Sequence, residues 1–174
     1  MGGMELFDSM DAKETARNTA ESAATLLHAR PCPTGRMPVI VANGFGGLLF
    51  HEACGHSLEA TNMADGGSEF SGRIGEQIAS PKVTLVDDGR RPGAWGSLHI
   101  DDEGIPTRRN VLIENGILKG CLVERLDGRR LGMPPTGSAR RETYRFAPAA
   151  RMTNTFLMPG EDDPKEMIRS VMFG

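Results

Sequence analysis

The chain is 174 residues long, 39% hydrophobic with 22 glycines, and carries a net charge of -3. That content fits one globular core, and a pI near 5.8 argues against a general nucleic-acid binder, which shows a basic excess. No apolar run reaches the length of a membrane span, the N-terminus lacks a basic-then-apolar secretion signal, and Cys32, Cys54 and Cys121 are too scattered for a disulfide framework. A reducing, cytoplasmic setting is the expectation.

Residues 11 to 30 read as an amphipathic helix. Asp11 with Glu14 offers a capping box, and Ala12, Ala16, Ala20, Ala23, Ala24 and Leu27 recur at helical spacing, a face suited to close packing. Pro31 to Gly35 ends it. Residues 38 to 42, Pro-Val-Ile-Val-Ala, read as a short buried strand, and Asn43-Gly44 as the start of a second helix. Gly44, Gly46 and Gly47 resemble a phosphate-cradling loop only weakly, because no Lys-Ser/Thr follows them.

Residues 61 to 80 are polar and glycine-rich, long for a connection, and a candidate lid. Residues 82 to 86 alternate as a strand, with Asp87-Asp88-Gly89 read as its turn. Val111 to Leu118 is the clearest hairpin, Asn115-Gly116 supplying a type I′ turn. Residues 121 to 125 extend its second strand, and Asp127-Gly128 turns again. Residues 133 to 150 are loop-rich, residues 153 to 158 a strand, and Pro164 opens a last short helix. Helices and strands do not alternate regularly. The fold class expected is therefore α+β, a mixed sheet with hairpins packed against a few helices.

The chemistry concentrates in Leu48-Leu49-Phe50-His51-Glu52-Ala53-Cys54-Gly55-His56-Ser57-Leu58-Glu59. Two imidazoles can hold a zinc ion with a position left open for water, and a neighbouring carboxylate can take that water's proton. The familiar metalloprotease pattern spaces its histidines four apart on one helical face. Here they are five apart, which separates them by about 140° around an ideal α-helix. A single π-type turn would swing them together, and Gly55 has the backbone freedom to allow it. The competing reading is a pair of ordinary core histidines.

Glu59 follows His56 by three residues, so it can complete a two-His-one-carboxylate set, brace an imidazole, or merely end the helix exposed. Asp87-Asp88 and Asp101-Asp102-Glu103-Gly104 read as turn formers before they read as metal clusters. Arg108, Arg109, Arg125, Arg129, Arg130, Arg140, Arg141, Arg145 and Arg151 crowd the second half, as a solvated face or as a groove for an acidic or extended peptide. Arg151 and Asn154 suit either peptide orientation or a buttressing role.

The string His51 to Glu59 closely resembles the motif of the TldD/PmbA family of metalloproteases, in its TldD-type, metal-bearing subunit. Asp101 to Gly104, Leu112 to Gly116, Thr136 to Arg141 and Arg151 to Thr155 resemble further blocks of that family, in order. The resemblance implies a metal-dependent peptidase acting on small or unfolded peptides. His51 and His56 would hold zinc or another divalent transition metal, and Glu52 would act as general base. It also implies a related sister subunit or homo-oligomer, while charge and the lack of a long apolar run lead to the expectation of no nucleic-acid or membrane partner. Its third protein ligand would be a cysteine of a C-terminal β-rich domain, a role carried to neither Cys54 nor Cys121. Residues 1–174 would then be a partial domain, inactive alone, binding zinc weakly and prone to self-association. The alternative is a non-catalytic peptide-binding or scaffold domain. A closed structural metal site fits less well, since such sites normally show four protein ligands.

Overall fold

Apolar β-branched and leucine residues at Leu85–Asp88 and Arg109–Glu114 build the centre of a sheet. A computed structural model describes residues 3–171 of the chain. It divides into two compact units, Met1–Val39 and Ile40–Gly174.

In the first unit, α1 (Glu5–Asp8) precedes α2 (Ala12–Leu27). Asp11 caps α2 as the sequence suggests, its Oδ1 accepting from the N–H groups of Lys13 and Glu14 at 3.0 and 2.9 Å. The alanine face is not covered: no residue of α2 is buried. Its hydroxyl residues instead bond backward, Thr19 to Thr15 O and Ser22 to Asn18 O, both at 2.8 Å. Residues 28–39 contain no regular element that could pack on it.

The second unit is α+β. Its sheet runs in the order β3-β2-β1-β6, from β1 (Leu85–Asp88), β2 (Arg109–Glu114), β3 (Ile117–Leu118) and β6 (Thr155–Leu157). A separate pair joins β4 (Ala139–Arg140) to β5 (Ala149–Ala150). The named ladders are antiparallel; the parallel pairing is the bridge between Glu59 and Leu122. The β2–β3 turn is as expected: Asn115 and Gly116 have φ of 49° and 80°, the mirror-image turn that matches strand twist. Leu58, Leu85, Leu112, Ile113, Leu118, Leu122 and Val123 form the core, joined by Ala60, Met63 and Met152.

Several sequence expectations change, among them the strand over residues 121–125, which is reduced to the single bridge at Leu122. Residues 38–42 form no strand, because none of their backbone groups meets a ladder partner among the described residues, and Val39, Ile40 and Val41 are exposed. Asp87 and Asp88 belong to β1 and not to a turn. Asp87 is fully buried because its carboxylate accepts from Thr153 N–H and from the hydroxyls of Thr153 and Thr155 at 2.7 to 2.8 Å. Residues 125–131 are a helix, α5 (Arg125–Leu131), so Asp127-Gly128 lies inside it; the Glu124 carboxylate caps it by accepting from the N–H groups of Leu126 and Asp127. Residues 61–80 begin with α4 (Ala60–Ala64) and are then tied down, with Ser68 Oγ on Ser57 O at 2.6 Å and Gly75 N–H on Leu118 O at 2.8 Å. A segment held this way is not a free lid. Asp101 does form the expected turn, accepting from Glu103 and Ile105 N–H at 2.9 Å, and Pro164 opens α6 (Pro164–Ser170).

Candidate metal centre

The motif begins as a 3-10 turn (Phe45–Gly47) and a short α-turn, α3 (Leu48–Phe50). It then widens into a π-turn over His51–Gly55, closed by His56 N–H on His51 O. A last 3-10 turn, His56–Leu58, ends it, and Glu59 is already extended at φ -84°, ψ 135°. The extra residue in the wide turn cancels the angular offset of a five-residue spacing. The two imidazole centroids stand 4.7 Å apart at an interplanar angle of 83°.

Gly55 is favoured for a different reason than backbone freedom. Its φ of -58° and ψ of -55° are ordinary helical values that any residue adopts. A Cβ there would overlap the Met152 sulfur, so it is the close approach of the core to the motif that calls for glycine.

One donor atom each from His51, Glu52 and His56 lies within 4.8 Å of the others, a group of the kind that holds a metal ion. Tetrahedral zinc with bonds near 2.1 Å would set its donors about 3.4 Å apart. Among the described residues this is the one such cluster, and Cys54 and Cys121 are outside it. Burial raises the Cys54 thiol and pushes Cys121 up to about 11.

Glu59 is a brace. It is 1% exposed, and its two oxygens are committed, Oε1 to His56 Nδ1 at 3.2 Å and Oε2 to Arg151 Nη1 at 2.8 Å. His56 Nε2 consequently faces Glu52, 4.0 Å from Oε2. Glu59 is itself pinned by the bridge to Leu122, with Leu122 N–H on Leu58 O and Ala60 N–H on Leu122 O, both 2.8 Å. Orienting an imidazole through its far nitrogen is the usual companion of histidine ligation.

Asn154 proves to be a buttress. Its Oδ1 accepts from Gly96 N–H at 2.8 Å and its Nδ2 donates to Asp88 O and Ser97 Oγ, fixing the loop after β1. Arg140, Arg141 and Arg151 line one cleft, but the nine arginines do not share a single groove. Arg130 pairs with Asp127 and Asp65, the Arg125 guanidinium donates to the Glu103 carbonyl, Arg141 to the Phe146 carbonyl, and Arg151 pairs with Glu59.

Sequence reasoning did not foresee an apolar cleft of about 540 Å³ beside His51, lined by Ile40, Val41, Phe50, Leu85, Phe156, Leu157, Met167 and Ile168. Its walls come from four separate segments, so no local pattern announces it. The only local signal is the presence of large apolar residues at exposed positions of α6.

Residues 34–174 match the family described as PmbA/TldA metallopeptidase C-terminal domain. The chain belongs to that family. It is 43% identical over 159 residues to a metalloprotease TldD homolog of Haemophilus influenzae, covering 91% of this chain and 33% of that protein. It is 33% identical over 170 residues to a zinc metalloprotease TldD homolog of Saccharolobus solfataricus, covering 97% of this chain and 38% of the relative. A solved structure from Thermotoga maritima, described as a proposed modulator of a DNA gyrase, superposes with TM-score 0.78 at 30% identity, over 92% of this chain and 36% of that one. TldE from Thermococcus kodakarensis superposes with TM-score 0.64 at 28% identity, over 72% and 28%. The chain thus spans about a third of the length of the curated relatives it matches. No helix among the described residues is long and apolar enough to cross a membrane.

Proposed function

We propose that this chain carries the metal-binding and proton-transfer residues of a zinc-type peptidase that hydrolyses small or unfolded peptides in the cytoplasm. The observation that carries the reading is the π-turn, which gathers His51, Glu52 and His56 into one cluster while Glu59 holds the far side of His56. The residues fit the ion: two imidazoles, one oriented by a carboxylate, next to a third group free of other duties. When bound, zinc would polarise the scissile carbonyl and make a nearby water acidic.

His51 and His56 are assigned as ligands and Glu52 as base. The Glu52 side chain is 64% exposed, which leaves it open to water and substrate. It takes one proton from the attacking water, whose oxygen bonds to the carbonyl carbon, and passes that proton to the amine nitrogen as the C–N bond breaks. The cleft beside His51 receives an apolar side chain of the peptide. A catalytic zinc commonly has three protein ligands. With Glu52 kept as base, the third comes from another part of the whole protein or from a related subunit, and the likeness to TldE supports such a sister chain. Residues 1–174 alone are then expected to be inactive.

The test is Glu52→Gln in the full-length protein with its partner. It is expected to retain zinc by elemental analysis while peptide cleavage falls on the order of 10²- to 10⁴-fold. Undiminished turnover would overturn the role of base, and loss of zinc would make Glu52 a ligand instead.

A further inference from the structure

The Arg151 guanidinium reaches the metal-site cluster only through Glu59. It follows β5 directly, its own N–H bonds Ser138 O at 2.8 Å, and its Nη1 donates both to Ala150 O at 3.2 Å and to Glu59 Oε2 at 2.8 Å. Arginine has donors only and cannot exchange roles within a hydrogen-bond chain. A carboxylate has acceptors only, so Glu59 accepts from Arg151 on one oxygen and from His56 on the other. In the neutral imidazole His56 Nδ1 then carries the proton, and Nε2, the nitrogen turned toward Glu52, is left with its lone pair.

We propose that Arg151 is a positioning residue that sets the tautomer of His56 through Glu59, and so decides that Nε2 is the nitrogen available to a metal. Its consequence for metal affinity rests on the reading of His56 as a ligand; the tautomer itself does not.

A purely structural ion pair and this directional chain differ in what they expect of an amide at position 59. Gln has one oxygen and one NH2 group. In Glu59→Gln, Arg151 captures the amide oxygen, because it can accept nothing, and the NH2 group is turned to His56. Nδ1 must then accept, and the proton moves to Nε2, which blocks it as a ligand. Removing Arg151 in that background frees the amide to rotate, so that its oxygen again accepts from Nδ1–H. The second substitution is thus expected to repair the first.

The experiment is nitrogen-15 NMR of the imidazoles in the metal-free 174-residue chain in alkaline buffer, followed by titration with zinc chloride. The parent is expected to show His56 protonated at Nδ1, Glu59→Gln at Nε2, and Glu59→Gln/Arg151→Met at Nδ1 again. Zinc affinity is expected to fall about 10- to 100-fold in Glu59→Gln and to recover in the double variant. Adding Arg151→Lys in place of Met keeps a donor and should leave the Nε2 tautomer. A parent protonated at Nε2 overturns the proposal without any variant having to fold. So does a double variant that keeps the Nε2 tautomer of Glu59→Gln. If the tautomers follow the expected pattern but zinc moves neither His51 nor His56 nitrogens, the positioning role stands and the metal reading falls.

Discussion

Gly55→Ala isolates the contact that seats the motif on the core. The substitution has two opposed effects. Gly55 has helical dihedrals, so alanine gains about 1 kcal/mol of helix propensity. Its Cβ, however, overlaps the Met152 sulfur, and Met152 is 7% exposed and packed in the core cluster. Inserting a methyl group into such a site costs about 1 to 3 kcal/mol. Methionine is flexible and yields in part, so the net loss expected is about 0 to 2 kcal/mol. The net value alone decides little; the coupling decides. Met152→Ala alone costs about 2 to 5 kcal/mol through the cavity it leaves. In the Gly55→Ala background the new methyl occupies part of that space, and the same truncation should cost about 1 to 3 kcal/mol less. Urea denaturation followed by far-ultraviolet circular dichroism on the four chains measures the cycle. Additivity within about 0.5 kcal/mol, with Gly55→Ala more stable than the parent, would refute the steric reading.

Burial raises the Asp87 carboxyl above its ordinary value, against the lowering effect of the Thr153 and Thr155 hydrogen bonds. The folded chain therefore holds that proton more tightly than the unfolded one. Its contribution to stability is full below the unfolded value of about 3.9 and is lost as pH rises through the higher folded value. Asp87→Asn, whose amide can still meet both threonines, should flatten stability against pH above about 4, checked by urea midpoints across that range; an unchanged slope would contradict it. Thiol labelling at about pH 8, near the ordinary thiol range, should modify exposed Cys32 in the native chain and reach Cys121, buried and pushed up to about 11, only on unfolding. Mass spectrometry of the labelled peptides gives the order, and fast native labelling of Cys121 would contradict it.

Much of this protein is written locally. The capping carboxylate of Asp11, the Asn115-Gly116 turn, the Asp101 turn and Pro164 at a helix start each depend on neighbours within a few residues, and each appears where the sequence places it. The π-turn is also local: a five-residue spacing of two histidines can share a face only if one helical turn is wide. Tertiary structure alone decided the rest. Residues 38–42 have strand composition and no ladder partner among the described residues, whereas the shorter Thr155–Leu157 is a strand because β1 lies beside it. Asp87 looks like a turn residue until two threonines from 66 and 68 positions away supply its donors. Gly55 is dictated by Met152, and the state of His56 by Arg151, 92 residues beyond the glutamate it holds. Local sequence fixes dihedral preference and periodicity. A buried polar or crowded position is defined by whatever the fold brings against it, and that partner is not near in the chain.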